Sequence, residues 1–132
     1  MAAGLLRHWF AARGRAGIVD SAGLAALVGE PADPVALQLM HERQIDLSGH
    51  RAQQLTPEIA TAFELILVME EAHQQALQRM YPETRGRVHR LGRFGGFDIP
   101  DPYRRPRSAF ERSLSLIERG LVEFERRFWS AA

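Results

Sequence analysis

The chain has 132 residues, of which 45% are apolar and 25% charged, with a formal net charge of +1 and no cysteine. That composition fits one globular domain with room for a real core. It excludes a disulfide framework, a zinc–cysteine site and any thiolate nucleophile within these residues. All 17 basic residues are arginine, yet the near-neutral balance exerts no global pull toward nucleic acid or membrane. The longest apolar run, at 65–69, is far too short to span a bilayer. Arg7 and His8 interrupt the apolar N-terminal stretch, so no secretion signal is legible and cytoplasm is the expected compartment.

Residues 1–14 carry alanine- and leucine-rich helical propensity with Gly14 as a stop, and the helix starts without a capping residue. Ile18–Val19 reads as a short strand, followed by a turn around Ser21 and Gly23. Asp33-Pro34 is an N-cap and N1 pair that opens a helix ending near Gln44. The polar loop at 45–56 closes on Thr56-Pro57-Glu58, which opens a short helix. The apolar run at 63–69 predicts a strand buried on both faces. Residues 70–81 are helical and stop before Pro82, and 86–91 form a second short strand. Ser108 and Glu111 have capping-box spacing. The helix after them sets Phe110, Leu114, Ile117, Leu121, Phe124 and Phe128 on one apolar face. Strands alternating with helices predict an α/β domain with a short parallel sheet, spanning residues 1–132 as one domain.

Most candidate motifs reduce to ordinary structure. His41-Glu42 begins like a zinc-protease helix, but Ile45 stands where the second histidine belongs. His8, His41, His50, His73 and His89 have no metal-ligand spacing, so no metal is expected. The glycines at 92–96 do not follow a dinucleotide pattern, and no cofactor is expected. Eight arginines between Arg79 and Arg107 form either a solvated basic face or a docking face for an acidic or phosphorylated partner. Interleaved aromatics are too few for an RNA-binding surface. Asp101 is the unusual residue. Pro102 pushes it out of the helical region and Pro100 fixes its approach, which lowers the ordering cost of aiming its carboxylate at a ligand.

Read together, the stretches "SAG" (21–23), "ADP" (32–34), "IDLSGHRAQQLT" (45–56), "LILVMEEAH" (65–73) and "IPDPYR" (99–104) resemble the low-molecular-weight protein tyrosine phosphatases. The resemblance is closest to the bacterial branch that acts beside tyrosine kinases in exopolysaccharide production. It implies a three-layer sandwich, with Asp101 as the general acid that protonates the leaving tyrosine oxygen. It further implies Tyr103 as a wall of the substrate cleft, Arg104 at its rim and Ser21 supporting the phosphate-binding loop. Leu24 and Leu27 would form an aliphatic facing wall where many relatives place an aromatic residue. The partner implied is a phosphotyrosine protein, a bacterial tyrosine kinase in particular.

The family's first, central strand and its Cys-x-x-x-x-x-Arg-Ser phosphate loop have no counterpart here. The resemblance therefore implies an N-terminally truncated, inactive form of the phosphatase. The alternative is a non-catalytic pseudophosphatase that docks a kinase or phosphoprotein through the arginine-rich stretch. In the family the missing strand lies between the Ile18–Val19 strand and the strand at 63–69. Its loss is expected to leave an empty slot, filled by homo-oligomerisation, strand swapping or direct pairing of the flanking strands.

Overall fold

The computed structural model describes residues 1–129. The chain divides into two compact units, one made of 1–55 with 103–114 and the other of 56–102 with the chain from 115 onward. Among the described residues no helix is long and apolar enough to cross a membrane.

In the first unit, α1 (Ala2–Ala12) begins after Met1 with no side-chain cap. Gly4 lies where a Cβ would come within 2.6 Å of the Leu47 side chain, so its missing side chain lets α1 close on Leu47, Ile45 and Met40. Leu5, Leu39, Met40, Ile45 and Leu47 are buried there, with Phe110 and Leu114. Helix α2 (Pro34–His41) starts where the sequence places it. The Asp33 carboxylate accepts from the Val35 amide at 2.8 Å, and Pro34 fills the position whose amide needs no partner. The helix ends at His41, three residues earlier than expected, and Gln44 closes the turn with φ at +62°.

The strand expected at Ile18–Val19 does not form. Residues 15–22 have no regular structure, and Ile18 is 86% exposed. Arg7 Nε donates to the Val19 carbonyl at 3.0 Å, so a side chain meets a group that a ladder would otherwise use. The β-branched pair supplies propensity, but propensity acts only where a neighbouring strand offers a surface. What this region builds instead is a parallel bridge between Gly23 and Gln54. Its backbone bonds are Gly23 N–H to the Gln53 carbonyl and Leu55 N–H to the Gly23 carbonyl, both 2.9 Å.

In the second unit, α3 (Pro57–Ala62) is capped by the Thr56 hydroxyl, which accepts from the Ile59 amide at 3.2 Å. Strands β1 (Ile66–Val68) and β2 (Val88–Arg90) pair in parallel, Ile66 with Val88 and Val68 with Arg90. Helix α4 (Glu71–Met80) is the crossover that a parallel pair requires. The strand expected over 63–69 is therefore only three residues long, and all three are half-buried rather than covered on both faces. Phe63 serves as the C-cap of α3, and beyond β1 the Met69 carbonyl accepts from the Ile99 amide. Register turns Leu67's backbone away from β2, and no other strand pairs with it among the described residues. Arg87 ties α3 to the approach of β2 by donating to the carbonyls of Ala60, Phe63 and Glu83.

Helix α5 (Arg107–Phe124) runs through both units and continues into a wide π turn at Glu125–Trp129. It starts one residue before Ser108, so the expected capping box is not the cap. Glu111 instead meets Arg107 at 3.0 Å, and Arg107 also reaches Glu42 at 2.8 Å. Phe110, Leu114, Ile117, Leu121 and Phe124 form the buried face as expected, whereas Phe128 is 46% exposed. A Cβ on Gly120 would come within 2.8 Å of the Leu91 carbonyl oxygen. The end of β2 thus passes directly against the α5 backbone.

Candidate functional site

The loop that presents Asp101 is fastened just upstream of it. Ile99 is buried, and its amide donates to the Met69 carbonyl at 2.9 Å, tying the loop to the end of β1. One residue earlier, the Asp98 carboxylate accepts from Arg90 Nη1 at 2.8 Å and from the Glu71 amide at 3.2 Å. Strand β2 and the first turn of α4 therefore both hold this loop. Asp101 follows between Pro100 and Pro102 and is exposed to solvent. The prolines were visible in the sequence, but the Ile99 and Asp98 anchors were not.

Asp101 falls in the second unit; Ser21, Leu24, Leu27, Tyr103 and Arg104 all fall in the first. Tyr103 is 51% exposed, and the Arg104 guanidinium carbon lies 5.2 Å from the centre of its ring. Arg104 has φ at +61°, a conformation costly for a residue with a Cβ. Ser21 is held by its backbone: its amide donates to Asp20 and its carbonyl accepts from Gln53 Nε2 at 2.7 Å. Leu24 is half-buried and Leu27 is exposed.

The sequence reading missed Gln54. Its Oε1 accepts from the Ala26 amide at 2.9 Å while its Nε2 donates to the Leu24 carbonyl at 2.7 Å. One side-chain amide thereby fixes the backbone that carries Leu24 and Leu27. The paired glutamines in the stretch at 45–56 were the only available signal.

The arginine-rich stretch is not a uniform free face. Arg87 is bound to backbone carbonyls, Arg90 to Asp98, and Arg107 to Glu42 and Glu111. Arg93 Nη1 lies 2.9 Å from His89 Nδ1. A guanidinium can only donate, so this nitrogen accepts and the imidazole is neutral with its proton on Nε2. Burial, and then the positive charge of Arg93, hold His89 below the usual value of 6.5; His50 is lowered in the same direction, first by burial. No group of three or more His, Asp or Glu residues is placed to hold a metal among the described residues.

A lowered histidine pKa means that the unfolded chain takes up a proton before the folded one does. Stability from this source is whole above about pH 6.5 and falls as pH drops from there toward the folded-state values. We expect the urea midpoint to be lower at pH 5.5 than at pH 7.5. His89→Asn should shrink that difference, and an unchanged difference would show that His89 does not contribute.

The chain matches the family model for low molecular weight phosphotyrosine protein phosphatase over residues 1–128. It is 50% identical over 103 residues to a probable low molecular weight protein-tyrosine-phosphatase, EpsP, of Ralstonia nicotianae, covering 78% of this chain and 71% of that one. It is 44% identical over 102 residues to the Escherichia coli phosphatase Wzb, covering 76% of this chain and 69% of that one. Among solved structures, Vibrio vulnificus Wzb in complex with benzylphosphonate superposes with a TM-score of 0.87 at 35% identity, over 96% of this chain and 88% of that one. Family model and backbone agree along nearly the whole length and the sequence relatives over about three quarters of it, and the chain belongs to the low molecular weight phosphotyrosine protein phosphatases.

Proposed function

We propose that this chain carries the general-acid portion of a phosphotyrosine phosphatase acting on a phosphorylated protein, a bacterial tyrosine kinase of exopolysaccharide production in particular. The observation that carries the reading is the Asp101 loop. An exposed carboxylate lies between two prolines, two residues beyond an amide bonded to the end of β1. A leaving phenolate is a poor departing group, and a carboxylic acid held beside it supplies the proton as the P–O bond breaks. In this role Asp101 donates the proton, while Tyr103 and Arg104 meet the substrate ring and its surroundings. Leu24 and Leu27, fixed by Gln54, provide aliphatic contact, and Ser21 braces the neighbouring backbone. Benzylphosphonate, bound by the Vibrio vulnificus relative, is an aromatic phosphoryl compound and supports this class of substrate.

The 132 residues contain no thiol, so they cannot form a cysteinyl-phosphate. Turnover requires a nucleophile and a phosphate-binding loop supplied from outside them, and the chain by itself is inactive. The family match from residue 1 to 128 supports treating them as part of one domain, and the compartment we propose is the cytoplasm. The test is to join the chain to a relative's N-terminal strand and Cys-x-x-x-x-x-Arg-Ser-Pro loop and assay para-nitrophenyl phosphate. Turnover supports the reading. A folded fusion without turnover favours the non-catalytic docking module.

A further inference from the structure

The outer edge of β2 borders a shallow depression of about 410 Å³, lined by Gln74, Gln78, Gly86, Val88, His89, Arg90 and Arg93. In the parallel register, His89 exchanges its backbone bonds with β1, so the backbones of Val88 and Arg90 face the other way. The Val88 carbonyl is met by Gln74 Nε2 at 3.0 Å. Among the described residues no backbone partner meets the Arg90 amide on this edge, and Gln78 lies one helical turn from Gln74 along the same depression.

Once the Arg90–Asp98 pair is set aside, the charge around that edge is positive. Asp98 neutralises Arg90, whereas Arg93 meets the neutral His89 ring and the face of Phe94, with no carboxylate among the described residues. A second guanidinium, that of Arg127, lies 4.9 Å from the centre of the same Phe94 ring, which concentrates positive charge beside the depression. Edges of this kind add an extended chain through main-chain hydrogen bonds, with side-chain pockets setting the choice. Arginine at the rim opposes a second copy of the same basic edge and favours acidic residues.

We propose that the outer edge of β2 binds an extended, acidic peptide segment, hydrogen-bonded to the Arg90 backbone and ion-paired to Arg93. The surface is separate in its argument from the phosphatase reading, because it needs neither Asp101 nor a phosphorylated ligand.

The probe is a fluorescein-labelled heptapeptide alternating glutamate and valine, read by fluorescence anisotropy at low salt on the full chain. Saturable binding is expected, with a dissociation constant raised roughly tenfold by Arg93→Ala and partly restored by Arg93→Lys. N-methylation of alternate residues should abolish binding in one frame and spare it in the other, since a paired strand turns only every second amide toward its neighbour. In the unsubstituted chain, hydrogen exchange at the Arg90 amide should slow when the peptide is added. Equal binding of the lysine–valine peptide overturns the proposal, as does unchanged exchange at Arg90. Complete displacement by millimolar free glutamate or inorganic phosphate also overturns it, and assigns the depression to small anions.

Discussion

Once fused to a relative's N-terminal strand and phosphate loop, the chain is expected to hydrolyse both phenyl and para-nitrophenyl phosphate, and Asp101→Asn to lower kcat on phenyl phosphate by about 10²- to 10⁴-fold. The unfused chain should stay at background, because it holds no thiol to form a cysteinyl-phosphate. Asparagine keeps the size and loop conformation of aspartate but has no proton to give. The loss should therefore depend on the leaving group. It should be large for phenols that depart poorly and small for nitrophenols that depart well without help. If the reduction is the same for both, Asp101 acts by holding the loop and not by proton transfer. The anchors predict that split as well. Ile99→Ala keeps the amide that bonds the Met69 carbonyl but removes the buried side chain that seats the loop, so it should lower kcat less than Asp101→Asn and with the same dependence on the leaving group.

Phe124→Ala should produce the largest loss of stability in the second unit. The Phe124 side chain is fully buried, and its ring lies 5.1 Å from Phe94 and from Phe128 and 6.1 Å from Trp129. Removing such a ring costs about 3–5 kcal/mol through lost burial and the cavity left behind. That is a large part of the roughly 5–15 kcal/mol available to an ordinary domain. The thermal midpoint should fall on the order of 10 °C or more. Phe128→Ala, at a half-exposed position one turn on, should cost much less. Equal losses for the two would mean that the aromatic cluster, and not burial at Phe124, sets the energy.

Local signals in the sequence were good guides where a single side chain could act on its own backbone. Asp33-Pro34 and Thr56-Pro57 mark helix starts because the capping oxygen and the amides it satisfies are only two or three residues apart. The apolar spacing of α5 identified five buried residues, but it did not anticipate that Phe128 would leave the buried face. Features that depend on distant partners were not legible. Ser108 looked like a cap, yet the start of α5 is organised by Arg107 and by Glu42, 65 residues away. Ile18–Val19 has strand propensity but no ladder to join, and β1 is shortened by its neighbours at both ends. The aspartate at 101 was legible as a presented side chain. The means of presentation was not, because the amide–carbonyl bond from Ile99 to Met69 joins residues whose types say nothing about each other.

The two indoles of the chain sit in different units, and that gives the molecule two independent optical reporters. Trp9, in α1, has the Arg13 guanidinium carbon 4.4 Å from its ring centre, while Trp129 lies beside Phe124 beyond the end of α5. Single-tryptophan versions made by Trp9→Phe and Trp129→Phe would each emit from one unit alone. Since α5 is one uninterrupted helix shared by both units, melting of either share frays the hydrogen bonds of the other. The two emission signals should therefore change together, and the helix would act as the shaft through which one half senses the loss of the other.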